Sequence, residues 1–550
     1  MRVIFCLLSL NNKYIFTLNM VAKQIINENE ALKGIISRNM LQIADHESYI
    51  LQLEERIKLL QNVIFCSKSE RYKPGPKEEQ YTLFDEVEKI QAEEPKEEPA
   101  IVVPAHKRKK PGRKPLPAEL PREDEIHDLP EAEKVCVCGC ALTRIGEEVS
   151  EKLDVVPAKV KVKRIVRYKY ACRGCEGVES QALGAGGAVR LAALPPQIIP
   201  QGIVTPGLLA FILVAKFVDA LSFYRQEAQF ERLGVEITRA TLCNWALLAA
   251  RAIEPLIEQL RIEIRSGPII NMDETRVQVL NEPGRENTTQ SYMWVARGGP
   301  LEKPAVLFHY APSRSGDVAK ELVGDFKGYL QTDGYLGYES LGERETICHV
   351  GCLAHMRRKF NDVIKAAGKG AKPGTAMEVM TLLREIYRLE AQARDEGLSP
   401  AKIADMREAK IGPILGDIEA LLETAVLKAP PKSLLGIAVR YARNQWSRIL
   451  AYLEDGRLRP DNNLTENAIR PFAIGRKNWL FSGSPRGAKA SAAIYSLIET
   501  AKANGLEPYA YLRLLFERLP AASTNEARKA LLPQHLDRSL LRNPVVQKTS

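Results

Sequence analysis

The feature of this sequence that most constrains its fold is a change in hydrophobic periodicity near residue 267. Four successive segments then have the pattern of β-strands: PIINMDETRVQVL, SYMWVARGG, PAVLFHYA and GYLQTDGYL. A helical pattern at 316–323 precedes the fourth segment, and helical patterns dominate 353–450. A further helix at 487–503 stops at Asn504-Gly505. The sequence therefore predicts a sheet domain that a long helical insertion interrupts.

Residues 205–265 also have helical patterns. The segment YRQEAQFERLGVEITRATLCNW at 224–245 predicts a helix, a glycine-containing turn and a second helix, as in helix-turn-helix units. Ordinary helical packing gives the same pattern and stays open as the alternative. The longest apolar run, GLLAFILVA at 207–215, is too short to span a bilayer, so we expect a buried helix and no membrane partner.

Isoleucine recurs with a period of seven near the N-terminus, at Ile36, Ile43, Ile50, Ile57 and Ile64. Leu53 and Leu60 occupy the matching d positions, and isoleucine at a with leucine at d favours parallel two-stranded coiled coils. The heptads therefore predict a dimer. A single amphipathic helix packed on its own domain is the alternative.

The first nineteen residues loosely imitate a signal peptide, but no small-residue cleavage site follows them. Met20 begins a more ordinary polar segment, MVAKQIINENEALK. We therefore expect residues 1–19 to be a spurious extension from an upstream start codon, or a disordered one, rather than a secretion signal.

Five of the ten cysteines cluster, as CVCGC at 136–140 and as CRGC ending at 175. Free cysteines rarely cluster in this way in a reducing cell, and the spacing is not that of a secreted disulfide framework. Thiolate pairs bind Zn²⁺ tetrahedrally, so the cluster predicts a zinc module in a cytoplasmic protein. Alternating lysine and valine at 159–163 predicts a strand over 159–170 within that module.

The chain has a formal net charge of +10, which makes a polyanionic partner plausible. A linker rich in Pro, Glu and Lys contains the basic tract HKRKKPGRKP at 106–115. Five basic residues of the tract are candidates for DNA phosphate contacts: Lys107, Arg108, Lys109, Lys110 and Arg113. A solvated linker charge run explains the same pattern equally well.

Three acidic residues are candidates for metal chemistry. Asp273 lies in the first predicted strand, Asp333 ends the fourth before Gly334, and Glu466 follows Asn463 at a predicted helix start. Each has a local explanation: a charge on an exposed edge, an Asp-Gly turn and a capping box. Taken together, they are the carboxylates that a two-metal phosphoryl-transfer site needs, because Mg²⁺ prefers carboxylate oxygens.

Several segments closely resemble the IS66-family transposases: NMDETRVQVL, YLQTDGYLGY, GCLAHMRRKF and NNLTENAIRPFAIGRKNWLFSGSPRGA, together with FCSKSERY, GRKPLP and RIGEEVSEKLDVVPA. The resemblance implies a DDE transposase with an RNase H-like catalytic domain, in which Asp273, Asp333 and Glu466 match the catalytic acids. It also implies cleavage at transposon ends with Mg²⁺ or Mn²⁺, followed by attack of the freed 3′-hydroxyl on target DNA.

The resemblance also bears on the zinc ligands. Where the family pattern has C-x-x-C-G-G, this chain has CVCGC, so that Cys140 takes the place of a glycine. The zinc ligands that the resemblance implies are therefore Cys136, Cys138, Cys172 and Cys175, with Cys140 as the alternative ligand.

The basic residues that follow Glu466 have a role in a transposase. We expect His355 and Arg357 to contact DNA near the scissile phosphate, and a second zinc site at Cys352 and His355 is less favoured because no partner pair is evident. We expect Trp479 to pack in the core rather than to stack on a base, because aromatic side chains are mostly buried. The residues expected to hold DNA phosphates are Arg470, Arg476, Lys477, Arg486 and Lys489.

These observations predict a multidomain, mostly α protein with an α/β RNase H-like catalytic domain that carries a long helical insertion, an N-terminal coiled coil and a small zinc-binding β module. The predicted divisions are an extension (1–19), a coiled coil (20–72), a charged Pro-rich linker (73–118), a zinc module (119–185), a helix-turn-helix-like DNA-binding region (186–264), the first part of the catalytic domain (265–350), the helical insertion (351–458), the second part of the catalytic domain (459–510) and a helical tail (511–550).

The predicted function is that of a transposase that binds the terminal inverted repeats of an insertion sequence and performs metal-dependent strand cleavage and transfer. The expected partners are double-stranded DNA, a second copy of the chain and small accessory proteins of the same element. The expected location is the bacterial cytoplasm, on the nucleoid when bound to DNA. Two alternatives are a catalytically inactive, zinc-containing DNA-binding regulator and a host RNase H-like nuclease, which would need no coiled coil.

Overall fold

A computed structural model of the chain describes residues 2–65, 160–171, 189–191, 194–200, 202–367 and 374–541. The first element is the long helix α1 (Arg2–Phe65), and β1 (Lys169–Ala171) pairs with β2 (Val189–Leu191) in an antiparallel ladder. The strand predicted over 159–170 is wrong for most of its length, because residues 160–168 have no regular structure. Strand β2 pairs only with Lys169–Ala171, so the ladder begins there.

Helix α1 carries the isoleucine heptads on its surface. Ile36, Ile43, Ile50 and Ile57 are each between 51% and 57% exposed. Glu55, which lies off the a/d seam, accepts a hydrogen bond from the backbone N–H of Leu434 at 3.2 Å. One face of α1 therefore contacts its own chain while the isoleucine face is open, as the free seam of a coiled coil requires.

The dimer remains a prediction that the isoleucine face generates. The double substitution Ile50→Asp plus Ile57→Asp places charges on the seam, so light scattering should give about half the mass of the wild-type species. The control is Arg38→Asp plus Lys58→Asp, which introduces the same residue type at exposed positions off the seam. An equal mass for the seam variant and this control would reject α1 as the dimerising element.

The remaining elements follow in chain order. The helices are α2 (Pro206–Phe217), α3 (Phe223–Arg232), α4 (Arg239–Ile264), α5 (Gly316–Val323), α6 (Glu339–Gly342), α7 (Leu353–Ala367), α8 (Thr375–Asp395), α9 (Pro400–Met406), α10 (Gly412–Lys428), α11 (Leu434–Leu450), α12 (Asn463–Trp479), α13 (Pro485–Ala503), α14 (Pro508–Arg518) and α15 (Asn525–Lys529). The strands are β3 (Ile269–Val279), β4 (Gln290–Gly298), β5 (Ala305–Ala311), β6 (Gly328–Gln331), β7 (Ile347–Val350) and β8 (Phe481–Ser482).

The central element is a mixed sheet with strand order β5-β4-β3-β6-β7, and the short β8 pairs with the end of β3. Strands β3, β6 and β7 are parallel, whereas β4 and β5 are antiparallel. The four strands predicted from the sequence coincide with β3 to β6, although β6 is shorter than expected. Strands β7 and β8 were not predicted, because four and two residues are too few to show a period.

The chain divides into two compact units. The first comprises Met1–Glu94, Pro268–Asp273 and Arg314–Asn467, and the second comprises Pro95–Gly267, Glu274–Ser313 and Ala468–Ser550. Strand β3 and helix α12 each begin in the first unit and end in the second.

Helices α7, α8, α10 and α11 build the apolar core of the first unit. Phe360, Leu383, Ile418 and Ala442 are completely buried there, and Trp446 is 8% exposed. The amphipathic periodicity of 353–450 is therefore satisfied by helices packing on one another, as the sequence predicts for an insertion.

A buried arginine fixes the segment that leaves the insertion. Arg407, 1% exposed, forms a bidentate ion pair with Glu390, through Nε–Oε1 at 2.7 Å and Nη2–Oε2 at 3.1 Å. Its remaining N–H groups donate to the carbonyl oxygens of Tyr452, Asp455 and Leu458. Because every donor of this guanidinium is satisfied, the charge is tolerated inside the protein and the chain before α12 is held in place.

Helix α13 covers the outer edge of the sheet in the second unit. The Thr500 hydroxyl accepts from the N–H of Val306 and donates to its carbonyl, at 3.0 Å each. The Ser496 hydroxyl accepts from the N–H of Phe308 at 2.8 Å, and Asn504 donates to the Pro304 carbonyl. Side chains of α13 thus form hydrogen bonds with backbone groups of the edge strand β5, which would otherwise be available to pair with another strand.

Candidate active site

Two of the predicted acids lie two residues beyond the paired stretch of β3 and β6. Strand β3 pairs with β6 from Ile269 opposite Tyr329 to Asn271 opposite Gln331. Continued by two residues, the same register aligns Asp273 with Asp333, and neighbouring strands are about 4.8 Å apart. The side chains of the preceding row do meet, because Asn271 Nδ2 donates to Gln331 Oε1 at 2.8 Å.

Asp333 is held by the turn that follows β6. Its Oδ1 accepts from the N–H of Tyr335 at 3.0 Å, across the bend at Gly334. A Cβ at Gly334 would lie 2.7 Å from the ring of Tyr441, so only glycine fits this approach. Burial raises the pKa of Asp333, while the Tyr335 amide, Arg314 and Arg358 oppose that rise. The carboxyl group of Asp333 therefore lies in a partly desolvated environment.

Asn462 connects the third acid to the strand that carries the first. Its Nδ2 donates to the carbonyl oxygen of Met272 at 2.8 Å, and its backbone N–H donates to Cys352 Sγ at 3.3 Å. Its own carbonyl accepts from the N–H groups of Thr465 and Glu466, so α12 begins at Asn463 and the cap lies one residue earlier than the capping-box pattern predicts. One buried amide thus joins α12 to the residue before Asp273.

Glu466 is 4% exposed and lies against helix α7. His355 Nδ1 is 3.7 Å from Glu466 Oε1, and Arg358 Nη2 is 3.7 Å from Glu466 Oε2. Burial, together with the nearby charges of Arg358 and Lys359, lowers the pKa of His355 to about 3, so the imidazole is neutral at physiological pH. The glutamate therefore lies next to one neutral ring and within ion-pair distance of one guanidinium.

The structure also groups Glu466 with a cysteine. The ligand atoms of Cys352, His355 and Glu466 all lie within 4.8 Å of one another, and no other group of three or more His, Cys, Asp or Glu residues meets this criterion in the described ranges. Asp273 and Asp333 are half-buried and lie outside this group. Burial raises the pKa of the Cys352 thiol above its usual range.

Sequence reasoning missed Asn462, Arg358 and the grouping of Cys352 with Glu466. Arg358 had a signal, because it lies three residues after His355 and so shares its helix face, whereas Arg357 does not. Asn462 has no comparable signal, since an amide bonded to a distant carbonyl leaves no local pattern. Cys352 and His355 form a visible C-x-x-H spacing, but their third neighbour is more than a hundred residues away.

The basic residues after Glu466 lie in the second unit. Lys477, Arg486 and Lys489 are exposed, whereas Arg470 and Arg476 are half-buried. Arg476 Nη1 donates to Thr275 Oγ1 at 3.3 Å. Three of the five basic residues after Glu466 that are predicted to contact phosphates therefore have solvent-exposed side chains.

Trp479 packs among other aromatic rings of the second unit. It meets Phe472 edge-to-face with a centroid distance of 5.4 Å, and the ammonium group of Lys216 lies 5.7 Å from its ring. These contacts agree with a packing role for this residue.

Some predicted site residues lie outside the described residues. They are the cysteines Cys136, Cys138, Cys140, Cys172 and Cys175 and the basic tract residues Lys107, Arg108, Lys109, Lys110 and Arg113.

Comparison with known families finds four matches along the chain. They are Transposase IS66 family over 201–490, IS66 C-terminal element over 496–534, zinc-finger binding domain of transposase IS66 over 133–176, and Transposase C of IS166 homeodomain over 52–124. The first match spans β3, β6 and α12 and so contains all three predicted acids. It defines the class as a DDE transposase. The chain belongs to the IS66 family of transposases.

Curated relatives extend over most of the chain. The uncharacterized protein y4jD of Sinorhizobium fredii is 36% identical over 431 residues, which cover 76% of this chain and 81% of the relative. The uncharacterized protein y4qI of the same organism is 34% identical over 498 residues, 88% of each chain. Membership of the family implies DNA binding, a divalent metal in the DDE domain and zinc in the zinc-finger domain. Within the described ranges, no helix is both long and apolar enough to cross a membrane.

The Asn462 contact generates a stability prediction. Asn462→Ala leaves the Met272 carbonyl without its donor inside the protein, which should cost about 1–3 kcal/mol in the free energy of unfolding. Asn463→Ala is the matched control, because the buried Oδ1 of Asn463 makes no hydrogen bond, so we expect a change within about 0.5 kcal/mol. Urea unfolding of both variants measures the difference, and an equal decrease for both would show that the Asn462 side chain does not hold α12 to β3.

Proposed function

We propose that this transposase binds the terminal inverted repeats of its insertion sequence, cleaves a DNA strand there and joins the freed 3′-hydroxyl to target DNA. The observation that supports this most is the register of β3 and β6, which would align Asp273 with Asp333 if it continued two residues beyond the paired stretch. Asn462 then ties the first turn of α12, which carries Glu466, to Met272 beside Asp273. These three acids are the catalytic residues of the proposal.

The donor set fits Mg²⁺ or Mn²⁺. Both ions favour carboxylate oxygens, and Mg²⁺ keeps several waters, so Asp273, Asp333 and Glu466 suffice to hold them. Glu466 is buried and Asp333 is half-buried, and buried negative charges are costly unless a cation compensates them. When bound, two such ions activate the attacking oxygen and stabilise the leaving oxygen.

The protein's own contribution is to position two of the carboxylates. Arg358 of helix α7 lies within ion-pair distance of Glu466, and the Tyr335 N–H donates to Asp333. In the first step, water attacks the scissile phosphorus and the bond to the 3′-oxygen breaks, which leaves a free 3′-hydroxyl. In the second step, that hydroxyl attacks a target phosphodiester, and the target 3′-oxygen leaves. Arg357, also on α7, is proposed to contact DNA near the scissile phosphate.

We assign DNA contacts first to the exposed cations Lys477, Arg486 and Lys489, because they can neutralise phosphates without losing an internal partner. Arg470 and Arg476 are proposed to support the same strand from half-buried positions. The basic tract, Lys107, Arg108, Lys109, Lys110 and Arg113, is proposed to add further phosphate contacts.

The zinc module is proposed to recognise the transposon end. The zinc-finger match over 133–176 contains every candidate cysteine. We retain Cys136, Cys138, Cys172 and Cys175 as the ligands, with Cys140 as the alternative, because four thiolates complete a structural zinc site.

The central prediction concerns the charge of Glu466. Glu466→Gln keeps the size of the side chain but removes the anion, so strand cleavage and joining should fall by more than about 10³-fold while end binding survives. The measurement uses labelled duplexes that carry the element's terminal repeats, with Mg²⁺ or Mn²⁺.

The control is Glu454→Gln, which changes an exposed glutamate of the same unit. This variant should cleave DNA as the wild type does. Near-normal cleavage by Glu466→Gln would remove this residue from the catalytic set. Tight end binding by a wild-type protein that never cleaves would instead favour the regulator alternative.

A second prediction concerns the exposed cations. Each ion pair between the protein and a DNA phosphate contributes about 0.9 to the slope of log K against log salt. Replacing three such cations, by Lys477→Gln, Arg486→Gln and Lys489→Gln together, should therefore lower the slope by about 2.7. The charge-matched control replaces Lys402, Lys410 and Lys432, exposed residues of the helical insertion, with glutamine. Equal slopes for the two triple variants would place the DNA contacts elsewhere.

A further inference from the structure

Three side chains of different chemistry converge where α7 and α12 begin. Cys352 immediately precedes α7, His355 lies in its first turn, and Glu466 lies in the first turn of α12. Their sulfur, nitrogen and oxygen ligand atoms all lie within 4.8 Å of one another. All three belong to the first unit, so the group is complete within one compact part of the chain.

The ligand atoms of the group are buried. Cys352 is 2% exposed and Glu466 is 4% exposed. His355 Nδ1 is buried, makes no hydrogen bond and faces Glu466 Oε1 at 3.7 Å. A buried nitrogen left in this way costs about 1–3 kcal/mol, which a cation among the three ligands would offset.

The ligand types indicate which cation fits. Mg²⁺ prefers oxygen ligands and has little affinity for a sulfur–nitrogen pair, whereas thiolate and imidazole favour Zn²⁺ and its spectroscopic substitute Co²⁺. Zinc sites with three protein ligands keep a fourth position open for water. We propose that Cys352, His355 and Glu466 form a binding site for Zn²⁺, additional to the cysteine-rich segment 133–176. Binding releases the thiol proton of Cys352 to solvent.

Occupancy of this site has a consequence that rests on the proposed function. A Glu466 carboxylate that turns toward Zn²⁺ between Cys352 and His355 is drawn away from the Mg²⁺ site with Asp273 and Asp333. Zn²⁺ therefore inhibits strand cleavage by taking the catalytic glutamate, and rising Mg²⁺ relieves the inhibition. The same group has a purely structural reading, in which Cys352 serves only to accept from the Asn462 N–H.

Metal binding to the full-length protein distinguishes the two readings without any assay of activity. Co²⁺ titration should give thiolate charge-transfer absorption in wild type, and Cys352→Ser should lack the part due to this site. The cysteine-rich segment is intact in every variant, so its own absorption cancels in the difference. Cys348→Ser is the matched control, since it removes a half-buried cysteine that lies close in sequence and outside the group.

The expected decrease in affinity for that ion exceeds 100-fold, because removal even of outer-shell partners costs about 10–100-fold. Serine at 352 can still accept from Asn462, and His355→Gln provides a second variant if the first unfolds, with thermal unfolding as the check on both. Equal zinc content and equal cobalt spectra for wild type, Cys352→Ser and His355→Gln would overturn the site.

Inhibition is tested as the ratio of cleavage with and without Zn²⁺, at fixed Mg²⁺, within each protein. Wild type and Cys348→Ser should be inhibited and recover as Mg²⁺ rises, and Cys352→Ser should resist concentrations that inhibit wild type. Equal inhibition of Cys352→Ser would reject the shared-glutamate mechanism. If wild type does not cleave with Mg²⁺ alone, the proposed function fails, while the cobalt spectra still decide whether the site binds metal.

Discussion

The bond from Asn462 to Met272 is the contact on which the rest of the site depends. This bond joins strand β3 to the start of helix α12 across 190 residues of sequence. The backbone N–H of Asn462 also donates to Cys352, which immediately precedes α7. Asn462 is completely buried, so neither bond exchanges with water. A single residue thus sets the distance between the parts that carry Asp273, His355 and Glu466.

The helical insertion supports this arrangement from the other side. Arg407 binds Glu390 within the insertion and three carbonyls of the segment that leads toward α12. The helical segment 353–450 is therefore more than a connection between the sheet and α12. Its core packing holds the chain that enters Asn462, so a loosened core would also displace Glu466.

Much of the fold and of the candidate site can be predicted from the sequence. The features that cannot be predicted share a physical reason. Strands β3 to β5 and helices α5 and α13 follow from periodicity, because each is long enough to show one. The acids Asp273, Asp333 and Glu466 are predicted from their chemistry and from a family resemblance, whereas the proposed alignment of Asp273 with Asp333 depends on the pairing of β3 with β6, which leaves no pattern in the sequence. The role of Asn462 could not be predicted, since partners distant in sequence leave no spacing rule. The cysteines of the zinc module lie outside the described residues, so their assignment remains a prediction.

The separation of the acids along the chain matters during synthesis. Asp273 and Asp333 leave the ribosome 60 residues apart, but Glu466 follows only after the entire insertion has been made. Because domains fold as units while the chain emerges, a growing chain has both strand aspartates long before the helix that completes the set. Under the proposed mechanism, an unfinished chain that ends before Glu466 would lack one of the three catalytic acids and could not cleave DNA.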